Sequence, residues 1–198
     1  MVDATLDPVR AEPAAGRFPG NMAIWVGITC EFVEFGVLFA VYFVARAHFP
    51  EAFHAGPGRL STTAGAAITL LMVTSSYCIA CSVSAMRRDR RRQALLWLCA
   101  ALAVALGYPL VKYLEVGRNL AQGLDGGAGI FITVYYYLTI NHLVHATWGI
   151  LGILFVLGRL AFGAYSAENH AGLEALGSYW HATDMIWLVL FTLFYLLA

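Results

Sequence analysis

Three pairs of ionisable side chains lie within otherwise apolar stretches of this sequence, and the members of each pair are three residues apart. The pairs are Glu31 with Glu34, His142 with His145, and His181 with Asp184. Side chains at this spacing share one face of a helix. Ionisable groups in apolar spans are costly and commonly mark a function. Metal binding, haem ligation, proton transfer and helix packing are the roles that these residue types can serve.

A metal or haem site is the most specific of these alternatives, but the spacing of the histidines and glutamates does not favour it. His-x-x-His with a glutamate offers plausible metal ligands. The di-iron pattern of helical bundles uses Glu-x-x-His on two helices, however, and the apolar stretches contain none. Two histidines three apart on one helix also face the same side, unlike opposed axial haem ligands. We therefore expect no metal and no haem in this chain, and we favour a buried polar clamp over a proton-conducting or proton-buffering site.

The two central pairs are expected to meet near the middle of the membrane. At about 1.5 Å per residue, Glu34 lies about 18 Å from Met22, and His145 lies about 18 Å from Leu157 on a helix running the opposite way. Two carboxylates on one face repel each other, so at least one is expected to be protonated or paired with a histidine. This predicts a cluster made of Glu31, Glu34, His142 and His145. By the same arithmetic, His181 and Asp184 lie within about 10 Å of the cytoplasmic edge.

The composition predicts the elements that position these residues. The sequence of 198 residues is 60% hydrophobic and 12% charged, with a mean hydropathy of +0.70, whereas soluble domains carry roughly 25% charged residues. About 20 apolar residues cross a membrane as a helix. The sequence predicts an all-α integral membrane bundle of five transmembrane helices in one domain, residues 21–198, after a polar N-terminal tail (residues 1–20) without the apolar region of a signal peptide. The predicted helices are residues 22–44, 62–85, 94–114, 129–157 and 179–198.

The arginines predict the orientation. The stretch "MRRDRRRQ" (86–93) contains Arg87, Arg88, Arg90, Arg91 and Arg92 between the second and third helices. Cytoplasmic loops are enriched in Lys and Arg, so we expect this loop and the N-terminus to be cytoplasmic and the C-terminus to be outside. The expected setting is a bacterial-type inner membrane, with the arginines contacting anionic lipid. Nothing else in the sequence favours nucleic-acid binding.

Several motifs resemble one family. "YLTINHLVHATWG" (137–149) is similar to the T-G-F-H-G-L-H-V-x-x-G stretch of cytochrome c oxidase subunit III, and "ITCEFVEFGVLFAVYF" (28–43) is similar to its glutamate-bearing helix, with the match on Glu31. "ENHAGLEALGSYWHATDMIWLVL" (168–190) resembles its H-x-G-x-E-A and Y-W-H-x-x-D-x-x-W-L signature. The matching residues of that signature include Glu174, Trp180, His181, Asp184 and Trp187.

The resemblance implies an accessory, non-redox subunit of a haem-copper oxidoreductase in aerobic electron transport. It would bind no redox metal itself, since haem and copper sit in partner subunits I and II. It would brace the catalytic subunit, hold phospholipid and support proton uptake. On this interpretation His142 and His145 tie helix four to helix one through Glu31.

The sequence also departs from the long form of the family, which has seven helices. The first two have no counterpart here, and Glu34 is not assigned by the family pattern. The short length and "KYLE" (112–115) look closest to NorE-type proteins associated with nitric oxide reductases, so an accessory role in nitric oxide reduction is the alternative. A small proton or solute transporter and an independent membrane enzyme are less favoured.

Overall fold

Residues 22–197 are described by the computed structural model, and they form helices and no strands. The predicted polar tail, residues 1–20, lies outside the described residues. The helices in chain order are α1 (Met22–His48), α2 (Pro50–Ala55), α3 (Thr62–Arg87), α4 (Arg91–Ala105), α5 (Gly107–Ala121), α6 (Ile130–Ala161) and α7 (Ala171–Phe191). A short 3-10 turn, Pro57–Arg59, precedes α3, and a π-helical turn, Thr192–Leu196, follows α7.

Four segments within residues 22–197 are long and apolar enough to cross a membrane. They are α1, α3, the segment Arg91–Ala121 that joins α4 to α5, and α6. The predicted all-α, multi-pass membrane fold is thereby confirmed. The 21-residue helix α7 is not one of the four, and it carries Glu174, His181 and Asp184 in its first two-thirds. A fifth crossing by α7 stays a prediction.

The helices extend beyond the predicted boundaries because helical structure continues from the apolar stretches into polar flanks. The first ends at 48 instead of 44, the second at 87 instead of 85, and the fourth covers 130–161 instead of 129–157. The largest correction concerns the last helix, which covers 171–191 instead of 179–198. Its first turns bury Leu173 and Leu176 on one side, while the other side is polar. A prediction based on continuous apolar sequence does not detect such an amphipathic helix start.

The third predicted helix, residues 94–114, is both longer and interrupted. It starts at Arg91, breaks at Leu106 and ends at Ala121. The break precedes Pro109, which has no backbone N–H to donate to the carbonyl of Ala105 one turn earlier. The break thus follows from the Pro in the sequence.

The helices pack closely where their facing residues are small. Along the pairing of α3 with α4, Ser75 Oγ donates to the carbonyl of Ala101 over 3.1 Å and Ser82 Oγ donates to the carbonyl of Ala94 over 2.8 Å. α7 lies against α3, α6 and α1. Small residues and interhelical hydrogen bonds are the usual means of helix association in lipid.

A knob of α7 fits a hole in α6. Trp180 is fully buried, and a Cβ atom added to Gly149 would lie 2.6 Å from Trp180 Cε3. Only glycine leaves room for the indole at this crossing. This contact fixes the register of α7 against α6, and the register places the polar residues described next.

Candidate functional site

His145 lies between the two glutamates of α1. Its Nδ1 atom is 3.5 Å from Glu31 Oε1, and its Nε2 atom is 3.3 Å from Glu34 Oε2. Asn141 Nδ2 donates to the other oxygen of Glu34 over 2.6 Å. Three of the four residues of the predicted cluster are therefore together, and they join α1 to α6 near the midpoints of both helices.

The contacts of His145 limit the protonation states that suit this arrangement. A neutral imidazole has one N–H and one lone pair, so one nitrogen would face a carboxylate oxygen without a hydrogen between them. Both contacts become favourable when the imidazole is charged or when one carboxyl group is protonated. Glu31, Glu34 and His145 together carry no net charge when one carboxyl group is protonated and the imidazole is charged. This neutrality lowers the cost of burying them in lipid.

Thr183 of α7 connects Glu31 to the interior. Its Oγ1 atom lies 3.1 Å from Glu31 Oε1 and 3.1 Å from the carbonyl of Tyr179. A hydroxyl has a single hydrogen, so both contacts are hydrogen bonds only when Glu31 is the donor in one of them. Glu31 is 2% exposed, and its Oε2 atom has no hydrogen-bond partner within residues 22–197. Both observations favour a protonated Glu31.

His142 occupies a different position from the one expected. It is fully buried, and its ring nitrogens lie 3.0 Å from the hydroxyl of Tyr108 and 3.0 Å from the carbonyl of Thr183. Neither nitrogen faces a carboxylate. Because a carbonyl only accepts, Nε2 carries the hydrogen and Nδ1 accepts from Tyr108. His142 therefore ties α6 to α5 and α7, while His145 ties it to α1. These connected residues form the mid-bundle network: Glu31, Glu34, Tyr108, Asn141, His142, His145 and Thr183.

A second buried polar group, the lysine network, consists of Lys112, Glu115, Tyr135 and Tyr195. Lys112 Nζ donates to Glu115 Oε2 over 2.9 Å and to the hydroxyl of Tyr135 over 2.8 Å, and it is 3.5 Å from the hydroxyl of Tyr195. Tyr195 donates to Glu115 Oε1 over 2.6 Å, and the two tyrosine hydroxyls are 3.0 Å apart. All four residues are buried, so this is a closed, charge-balanced group.

The sequence interpretation missed the lysine network, because the predicted third helix, residues 94–114, places Lys112 two residues from its end. That placement followed from ending the third helix at 114, whereas α5 continues to Ala121 and buries Lys112. A signal was present: Lys112 and Glu115 are three residues apart in a helix, which is the spacing of an ion pair. The two tyrosine partners come from α6 and from the turn after α7, and no local pattern predicts them.

Glu174 and its partners lie on the side of the bundle that carries the loop between α3 and α4, here called the arginine-loop side. Arg87 Nη2 contacts Glu174 Oε1 at 2.6 Å, and His170 Nε2 lies 3.2 Å from the same oxygen. Arg91 instead binds the end of α6, where it donates to the carbonyls of Leu160 and Ala161. Two of the five loop arginines thus hold the bundle together. Arg88, Arg90 and Arg92 are exposed.

His181 and Asp184 share one partner on α3. Ser76 Oγ lies 2.6 Å from His181 Nδ1 and donates to Asp184 Oδ2. Because α7 begins at 171 instead of 179, His181 lies about 15 Å from the start of the helix. Trp187, three residues beyond Asp184, is buried against His142 and donates to Thr69 Oγ1 over 3.0 Å.

No group of three or more His, Cys, Asp or Glu side chains within residues 22–197 has the arrangement of a metal site. The polar groups that are present bind one another across helices. The chemistry that this geometry supports is hydrogen bonding between helices and the holding of protons.

Comparison with known proteins identifies the family. The family described as cytochrome c oxidase subunit III matches residues 61–198. The chain belongs to this family. It is therefore an accessory subunit of a haem-copper oxidase, and it is a multi-pass membrane protein.

Curated relatives extend the match to the N-terminal part of the bundle. The chain is 32% identical over 180 residues to a cytochrome c oxidase subunit 3 of Thermostichus vulcanus, covering 89% of this chain and 86% of that protein. It is 24% identical over 184 residues to a probable quinol oxidase subunit 3 of Staphylococcus saprophyticus, covering 89% and 88%. It is also 28% identical to the heme-copper oxidase subunit I+III of Aeropyrum pernix, covering 88% of this chain and 22% of that longer protein.

Proposed function

We propose that this subunit braces the haem- and copper-bearing catalytic subunit of a terminal oxidase and supports its proton uptake. The mid-bundle network carries the proposal, because it joins α1, α5, α6 and α7 through buried polar contacts. In lipid such contacts favour one arrangement of helices over others. A rigid accessory bundle of this kind presents a constant surface to a partner. The fused subunit I+III relative supports subunit I as that partner.

Affinity purification after gentle solubilisation tests the proposal. An affinity-tagged chain should bring down a haem-containing protein that mass spectrometry identifies as subunit I, with the visible spectrum of a haem-copper oxidase. The purified chain alone should show no haem spectrum. A haem-free homo-oligomer that moves protons or solutes in vesicles would instead identify a transporter.

We also propose that α7 is a fifth span, with the arginine-loop side in the cytoplasm of a bacterial-type cell. The arginine-loop side holds Arg87, Arg88, Arg90, Arg91, Arg92 and Arg159, in keeping with the positive-inside rule. Alkaline phosphatase is active only outside the cytoplasm. A fusion after residue 197 should be active and one after residue 163 inactive, whereas the same result at both sites would show that α7 does not cross the membrane.

An apolar groove on the arginine-loop side is proposed to hold a phospholipid chain. It has a volume of about 490 Å³ and is lined by α1, α6 and α7. The guanidinium of Arg159 lies over the rings of Phe155 and Tyr165, both of which border or line the groove, so a cation is close to where a phosphate would sit. Lipid analysis of the purified subunit should find bound phospholipid, and its amount should fall when Gly152 in the groove wall is replaced by Phe.

Proton uptake would involve the groove around His181. This groove of about 260 Å³ is lined by Arg87, Glu174, Ser178 and His181, and it opens on the arginine-loop side. The side chain of His181 is 46% exposed, whereas that of Asp184 behind it is 12% exposed. This pair is placed to exchange protons with water. His181→Ala should slow proton uptake by the assembled oxidase while leaving the amount of subunit I recovered unchanged.

A further inference from the structure

Glu34 presents a carboxyl group to the outside of the bundle at mid-membrane. It lies 12 residues from the start of α1 and 14 from its end, and its side chain is 46% exposed. Lipid chains offer a carboxyl group no hydrogen-bond donor, so exposure at this depth is costly. The cost is removed when another polypeptide supplies the donor.

The bonds that Glu34 makes within the chain leave room for such a donor. Oε1 accepts from Asn141 and Oε2 faces His145. Each carboxylate oxygen has two lone pairs, so each can accept a second hydrogen bond. His145 is 20% exposed and lies on the inner side of the glutamate. The remaining acceptor capacity therefore points away from the bundle.

The surface around Glu34 has the form of a helix-docking site. A groove of about 500 Å³ runs beside it along α6 and contains Ile140, Asn141 and Val144. On α1, the exposed residues on the same helical face are small or β-branched, which lets a neighbouring helix approach closely. We call this surface the Glu34 face; it consists of Gly27, Cys30, Glu34, Val37, Val41, Ile140, Asn141 and Val144.

We propose that a transmembrane helix of the catalytic subunit covers the Glu34 face and presents a Lys, Arg or hydroxyl side chain to Glu34. The occupant follows from hydrogen-bond complementarity, because the exposed carboxyl group can accept further hydrogen bonds that lipid chains cannot donate, and from the groove that can hold the donor side chain. This inference rests on the proposed function and adds to it the surface and the chemistry of docking.

Photo-crosslinking tests the location. Benzoylphenylalanine in place of Val37 lies on the Glu34 face, and the same residue in place of Leu110 lies on α5; both native side chains are 60% exposed. In complexes purified from membranes, we expect a crosslink to subunit I, identified by peptide mass spectrometry, from Val37 and not from Leu110. A crosslink from Val37 to a second copy of this chain or to lipid alone overturns the inference, as does a crosslink to subunit I from Leu110 only.

The copurification of the unmodified chain separates this inference from the proposed function. If subunit I copurifies and Val37 does not reach it, docking occurs elsewhere and only the inference fails. If subunit I does not copurify at all, the proposed function fails first.

Substitution of Glu34 tests the chemistry. Glu34→Leu should lower the retention of subunit I in detergent by roughly three- to tenfold, as expected for one interhelical hydrogen bond. Phe32→Leu is the matched control, since Phe32 is 42% exposed and lies two residues before Glu34, on the opposite side of α1, and it should leave retention unchanged. A crosslink from Val37 to the subunit I that is retained shows that each variant folds and docks through the same face. Equal retention for the two variants would overturn the role of the carboxyl group.

Discussion

At the scale of single residues, the main result is that the contacts of the mid-bundle network limit the protonation states of its side chains. His145 faces two carboxyl groups, and Thr183 requires a donor from Glu31 if it also binds the carbonyl of Tyr179. A protonated Glu31 and an ion pair of His145 with Glu34 satisfy these contacts with no net charge. These residues therefore form one connected unit.

Infrared spectroscopy can test which glutamate carries the proton. We expect a band from a protonated carboxyl group that is lost in Glu31→Gln and kept in Glu34→Gln. The band should shift in His145→Ala, because the imidazole contacts the same carboxyl group. A band that is indifferent to His145, or one lost only in Glu34→Gln, would contradict this assignment.

The lysine network makes a separate prediction about charge balance. Glu115→Gln removes the anion from a buried pair and should lower the free energy of unfolding in detergent by about 3–5 kcal/mol. Lys112→Gln combined with Glu115→Gln removes both charges and should recover most of that loss. If the double variant is as unstable as the single one, hydrogen-bond geometry instead of charge dominates the site.

At the scale of elements, the crossing of α6 and α7 depends on the absence of a side chain at one position. Gly149 lies under the indole of Trp180, and any added atom there overlaps the ring. The two helices carry His142, His145, Thr183 and Trp180. A change in their register would therefore separate the partners of the mid-bundle network.

Two glycines of α6 allow a matched test. Gly149→Ala should destabilise the protein by about 1–3 kcal/mol through overpacking. Gly158→Ala, where nothing lies within 4 Å of an added Cβ atom, should stabilise the helix by about 0.5–1 kcal/mol. Melting temperatures in detergent measure both. Equal effects at the two positions would mean that helix propensity, and not the Trp180 contact, determines the outcome.

At the scale of the whole molecule, the bundle is a scaffold whose polar residues bind one another. The same residues face outward at Glu34 and at His181, so internal order and surface chemistry are linked. Substitution of His145 should therefore also weaken binding at the surface that contacts the partner subunit.

His145→Ala should reduce the recovery of subunit I with the tagged chain by several-fold, because α1 loses two of its polar contacts with α6. The haem and copper content of the subunit I that is recovered should not change. His54→Ala, at an exposed position in α2, is the control. A stoichiometric metal lost from the isolated chain in His145→Ala would contradict the scaffold function.

The sequence by itself determined the all-α membrane class and the family. Long apolar runs and motif spacing are local properties, and they can be recognised without knowledge of tertiary contacts. The approach of Glu31 and Glu34 to His145 was also foreseeable, because equal depths on antiparallel helices follow from the rise per residue.

The tertiary structure alone decided which partner each polar residue has. His142 contacts Tyr108 and Thr183, and Lys112 contacts two tyrosines that are more than 20 residues away in sequence. Each choice depends on the rotation and register of packed helices. Those are set by many small contacts, such as Gly149 against Trp180, that no periodicity in the sequence records.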